Sequence, residues 1–202
     1  VVKALLRAAF ALPGRLAALR YRMGRALIGE EKAFTGFAER LARRPGYWGV
    51  YLRAAAYGRV LARASPDIHI GFGTCLSKPA AVLGDHVYVG RFCTLGWVEI
   101  ERDVMIADFV AIPSGGQTHR VAEGLAPRES GSQFTRVRVG EGTWIGSQAV
   151  VMADVGRFCV IGAGAVVTRP VPDHAVVVGV PARVVGSTLE TPAERAPAMD
   201  GA

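Results

Sequence analysis

Four histidines and three cysteines are the side chains best suited to chemistry in this 202-residue chain. His119 stands apart from the rest. It lies in Ile112-Pro-Ser-Gly-Gly-Gln-Thr-His-Arg120, where a sequence that otherwise repeats every six residues breaks off for some two dozen polar residues. A neutral imidazole, with an ordinary pKa near 6.5, can accept a hydroxyl proton and later return it to a leaving group. The four histidines, at 69, 86, 119 and 174, are separated by 17, 33 and 55 residues, a poor pattern for three ligands converging on one metal. His69, His86 and His174 read as surface residues. Cys75, Cys93 and Cys159 form no CxxC pair and are odd in number, which fits a reducing compartment without a disulfide framework.

The elements around the break are repeats. Hexads that start on an aliphatic residue begin at Ile70, Leu83, Val89, Ile100, Ile106, Val139, Ile145, Val155 and Ile161. Such short units bury nothing alone and must stack. If each hexad forms one flat side of a triangular coil, its first residue points inward and its fifth must be small. Its second often turns the corner, where Gly or Ala is tolerated. Cys93 and Cys159 fall at the fifth place with Val87, Val104, Val110, Thr143, Ala149 and Ala165, so both thiols read as small buried hydrophobes.

Residues 1–65 are of another kind. They carry 13 Lys/Arg against 3 Asp/Glu, a balance of +10, whereas residues 66–202 balance to −3. Leu5, Leu6, Phe10, Leu12, Leu16, Leu19 and Met23 recur at helical spacing with arginines between them, and Pro13-Gly14 is expected to kink or split that helix. A second apolar and basic run, Phe34 to Arg63, holds Tyr47, Trp48, Tyr51 and Tyr57, aromatic types that favour a membrane interface. The section reads either as a helical cap on the repeat or as a peripheral anchor drawn to anionic lipid. No stretch has the roughly 20 uncharged apolar residues needed to span a bilayer, and interspersed arginines argue against a signal peptide. Basic charge without a helix-turn-helix, zinc-finger or RNA-binding signature gives no support to nucleic-acid binding. Residues 187–202, rich in Pro, Ala and Glu, read as a disordered tail.

The hexads resemble those of the hexapeptide-repeat acyltransferases, whose fold is a left-handed parallel β-helix. TWIGSQAVV from Thr143 and VIGAGAVVTRPVPDHAVVVGVPARVV from Val160 are similar to segments of the acetyltransferase branch, which includes serine, galactoside, xenobiotic and polysaccharide O-acetyltransferases. The resemblance implies a mainly β domain over 66–186, an N-terminal α-helical section and a catalytic loop inserted at 113–136. It further implies a homotrimer using acetyl-CoA, with no metal, and His119 as general base. Trp144 would pack on the thiol arm, Ser147 and Ala163 would meet the pantetheine amides, and Thr168, Arg169 and Arg183 would face the nucleotide phosphates. Direct transfer to a sugar, glycan or glycolipid hydroxyl at the cytoplasmic face of the membrane is the expected reaction. A small-molecule acetyltransferase acting on serine or a xenobiotic, a zinc hydratase and a binding scaffold without turnover are the alternatives. The usual GNPA turn reads Gly179-Val-Pro-Ala182, and the acceptor-binding asparagine of sugar-specific members has no counterpart near CTLGWVEI.

Overall fold

A computed structural model describes residues 2–116, 126, 129 and 131–190. Three helices, α1 (Val2–Ile28), α2 (Glu30–Ala42) and α3 (Gly46–Tyr57), precede a parallel β-helix of short strands. Helix α1 is not split at Pro13. A proline removes one amide donor, and here the next residue, Gly14, packs so closely on α3 that an added Cβ would lie 2.7 Å from Ala55 Cβ. Contact along α3 holds the helix through the break.

Each coil has three sides. The first face stacks Arg63–Ala64, Val82–Leu83, Val98–Ile100 and Val137–Val139, and Val155 and Val171 extend it through isolated bridges. The second stacks six parallel strands from His69–Ile70 to Ala175–Val178 and ends on the antiparallel Arg183–Ser187; the third stacks five, from Cys75–Leu76 to Val166–Val167. The first strand, Arg63–Ala64, pairs with Val82–Leu83, so coiling starts slightly before residue 66. The first residue of each of the nine hexads is buried, from Ile70 and Leu83 through to Val155 and Ile161. Two threonines at fifth places stitch coils together: Thr74 Oγ1 donates to Gly90 O (2.7 Å) and accepts from Cys93 N (3.0 Å), and Thr143 repeats this with Gly156 O (2.8 Å) and Cys159 N (3.1 Å).

The corners divide labour differently from the expectation. Left-handed backbone falls at the fourth place, at His86, Phe92, Asp103, Phe109, Gln148, Phe158 and His174, as well as Gly73, Gly142 and Gly164. Glycine at the second place, in seven of the nine hexads, gives room instead: a Cβ on Gly71 would lie 2.4 Å from Gly90 O on the next coil. Aspartates bracket other corners, with Asp108 accepting from the Arg91 amide (2.6 Å) and guanidinium (2.6 and 3.0 Å), an arrangement that Asp173 repeats with Arg157.

The helices close the N-terminal end of the prism, and one core runs from Tyr21, Phe34 and Tyr57 to Val177. Arg53 is fully buried and ties the two parts together. Its Nε donates to Ile70 O (2.7 Å) in the first coil, and Nη1 donates to Leu41 O (3.1 Å) and Arg44 O (2.7 Å) at the end of α2. Carbonyls left free at a helix C-terminus carry partial negative charge, so they serve as the counter-charge to this cation. The leucines of α1 do the opposite of packing on the prism: Leu5, Leu12, Leu16, Leu19 and Met23 are all exposed. Tyr47 and Trp48 are exposed as well.

Candidate active site

The chain leaves the coil and returns to it at one spot. Thr135 N donates to Ser114 O (2.9 Å), and Ser114 Oγ accepts from Trp97 N (2.8 Å) on the preceding coil. Two neighbouring residues thus form the stem of the insertion, with Gly115 left-handed (φ 87°) where a Cβ would lie 3.0 Å from Thr135 Cβ. His119 lies outside the described residues, as does half of the insertion. Phe134 at the returning end has the Lys78 ammonium 4.0 Å from its ring centroid.

This stem sits on the edge between the third and first faces, where coil lengths are irregular. Met152 occupies the same edge one coil further on, close to Gly116, and donates its amide to Val167 O (2.9 Å), just before Thr168 and Arg169. Thr168 and Arg169 therefore share an edge with the loop stem. Together with Arg183 they line a cleft of about 180 Å³ at the C-terminal end of the solenoid, closed below by Val171 and Val177. Neither Arg169 nor Arg183 forms an ion pair among the described residues, which leaves both guanidinium groups available to an anion.

The other three residues expected to meet the donor stand elsewhere. Trp144 points outward from the second face, 52% exposed, in register with Met105 and Val160. Ser147 and Ala163 occupy the corner between the second and third faces on successive coils, linked by the Gly164 amide on Ser147 O (2.8 Å). All six are exposed, so none is spent on the interior of the coil. At the same turn the amides of Trp144 and Gly146 are held by Cys159 O (2.9 Å) and Ile161 O (2.8 Å). The Ser147 amide has no such partner among the described residues. The structure thus sets Trp144 on the second face, Ser147 and Ala163 at its corner with the third, and Thr168 and Arg169 on the opposite edge of the third face, while Arg183 pairs with Val178 at the end of the second-face sheet.

The remaining candidates for chemistry are accounted for structurally. Burial pushes the Cys93 and Cys159 thiols up, and their Sγ atoms donate to Ala107 O (3.1 Å) and Pro172 O (3.0 Å). His86 is exposed between Asp67 (2.9 Å) and Asp103 (3.0 Å). His69 departs from the surface reading: it is half-buried, stacked on Tyr88 at 4.5 Å, and burial draws its pKa down. His174 is likewise half-buried and stacks on Phe158 at 5.5 Å. Among the described residues no group of three or more His, Cys, Asp or Glu is placed to hold a metal ion.

Residues 136–169 match the family model described as bacterial transferase hexapeptide (six repeats). A probable acetyltransferase of Mycobacterium tuberculosis is 34% identical over 126 residues, 58% of this chain and 41% of that protein. The serine acetyltransferase of Salmonella typhimurium is 39% identical over 103 residues, 50% of this chain and 32% of that protein. The matches thus span less than half the length of either relative. Among solved structures, a maltose O-acetyltransferase from Clostridium difficile superposes with a TM-score of 0.69 at 22% identity, covering 80% of this chain and 88% of that one. A hexapeptide-repeat-containing acetyltransferase from Vibrio cholerae superposes at 0.59 and 21% identity, covering 80% and 94%. These two share the fold.

Proposed function

We propose that this chain, which carries the repeat and the fold of the hexapeptide-repeat transferases, moves an acetyl group from acetyl-CoA to a hydroxyl of a sugar, glycan or glycolipid precursor. One observation carries the reading: the insertion is anchored on the edge of the solenoid that also bears Thr168 and Arg169. A donor whose phosphates rest on Arg169 and Arg183 would extend along the coils toward the segment that contains His119.

In this mechanism His119 takes the acceptor's hydroxyl proton as the oxygen attacks the thioester carbonyl carbon. The carbon–sulfur bond then breaks, and the imidazolium returns the proton to the departing thiolate. No covalent enzyme intermediate forms. The Ser147 amide, which has no backbone partner among the described residues, is the donor we assign to the developing oxyanion.

Trp144, Ser147 and Ala163 lie toward one edge of the third face, and Thr168 and Arg169 lie on the other. A homotrimer resolves that separation, because one copy's Trp144, Ser147 and Ala163 would face a neighbour's Thr168, Arg169 and Arg183 across a shared groove. Residues 1–65 bring the enzyme to the cytoplasmic face of the membrane in the same reading. A second acceptor class, a small molecule such as serine, draws support from the sequence likeness to serine acetyltransferases.

The test is thiol release from acetyl-CoA by purified protein over sugars, nucleotide sugars, lipid-linked oligosaccharides and serine, beside His119→Ala. Loss of a general base lowers turnover by about a hundredfold to ten-thousandfold. Turnover unchanged in His119→Ala would overturn the assignment, and no turnover on any acceptor would favour a binding scaffold.

A further inference from the structure

Helix α1 has two apolar faces, and only one is used. Phe10, Gly14, Ala18 and Tyr21, spaced by four, four and three residues, are buried against α2 and α3. Leu5, Leu12, Leu16, Leu19, Met23 and Leu27 recur at sevens, fours and threes on the opposite side and are 54–82% exposed. At 1.5 Å per residue this stripe is about 33 Å long. A contiguous apolar strip of that size marks an interaction site.

We propose that this stripe docks α1 flat on an anionic lipid surface. Charge selects the occupant. Helix α1 contains no Asp or Glu, and Arg15, Arg20 and Arg22, all exposed, flank the leucines on both sides. A second copy laid on the same stripe would bring arginines against arginines with no carboxylate on the helix to pair with them. A lipid headgroup layer meets both demands at once: acyl chains take the leucines, and phosphates take guanidinium groups whose stems lie along the apolar surface. No helix among the described residues is long and apolar enough to cross the bilayer, so the contact is peripheral. The inference deepens the membrane reading given above, but it is tested without acyl donor or acceptor, so it can fail while acetyl transfer stands, and the reverse.

The experiment is flotation of the full chain with vesicles of phosphatidylcholine alone or mixed with phosphatidylglycerol. Binding is expected on the anionic vesicles and to weaken with salt. The double variant Leu16→Glu/Met23→Glu should lose at least about tenfold in affinity, and Arg15→Gln, Arg20→Gln and Arg22→Gln about fivefold each. Because every substituted side chain is exposed, circular dichroism and thermal melting should match the unaltered protein. Absence of binding to anionic vesicles, or binding that both sets of variants leave intact, would overturn the proposal. So would a Leu16→Glu/Met23→Glu protein that sediments as a smaller species without lipid, because the stripe would then belong to a second copy.

Discussion

Arg53 is a cation placed inside the molecule without a carboxylate partner, and three backbone carbonyls depend on it. Burial draws its pKa down, yet guanidinium remains protonated at any pH the fold experiences. Arg53→Ala should therefore cost about 3–5 kcal/mol, because it strands buried acceptors in both α2 and the first coil. Arg53→Lys should recover only part, since an ammonium cannot span the planar fork from Ile70 O to Arg44 O. Urea midpoints of the two variants check this. His69 gives a second test with a definite sign. Burial favours its neutral form, so the unfolded chain binds the proton more readily, and stability falls as pH drops through the ordinary histidine value near 6.5. His69→Phe keeps the stack on Tyr88 and removes the proton. Its melting temperature should fall less than that of the unaltered protein between pH 7 and pH 5.5.

At the scale of the coil, two glycines separate room from backbone conformation. Gly146 faces the next coil so closely that a Cβ would lie 2.6 Å from Ala163 N, whereas Gly164 is left-handed (φ 68°) with nothing within 4 Å. Gly146→Ala should cost about 1–3 kcal/mol through overpacking, and Gly164→Ala about 1–2 kcal/mol through its backbone alone. Asparagine distinguishes the two causes because it tolerates the left-handed region: Gly164→Asn should be milder than Gly164→Ala, and Gly146→Asn harsher than Gly146→Ala. Denaturant midpoints of the four variants decide it. The same corners show what the sequence could tell. Hexads on the first and second faces were legible because each inward aliphatic has a small residue four places later. The third face was not, because the stretch from its inward residue to the next coil varies: seven residues from Leu76 to Leu83, five from Leu95 to Ile100, four from Val151 to Val155. That irregular edge is the one that tolerates an insertion, so the break at His119 was readable while the regularity around it was not. The α1 leucines left two readings open for a related reason. Helical spacing identifies an apolar face but carries no sign saying which way it points, and here small and aromatic residues took the inner side.

For the whole molecule, the three outer faces differ in what they can meet. The first face is charged and satisfied within itself, with Glu99 2.9 Å from Arg136 and 3.7 Å from Arg138. The second presents an in-register column of Tyr88, Met105 and Trp144, respectively 39%, 54% and 52% exposed, on a sheet too rigid to hide them. Three side chains of this size in a row are poorly spent on water, and in the homotrimer we propose a second copy of the same prism would cover them. If the shared-groove reading of the donor site is right, the assembly and the activity stand or fall together. Met105 sits in the middle of the column and belongs to neither donor group, so Met105→Glu isolates the effect. It places an exposed charge on a monomer but a desolvated charge in an assembly. Sedimentation should therefore find trimers of the unaltered protein and monomers of the variant, with thiol release from acetyl-CoA reduced at least about tenfold. An unaltered protein that sediments as a monomer at full activity would sever the two, and would require one chain to hold the donor across its own third face.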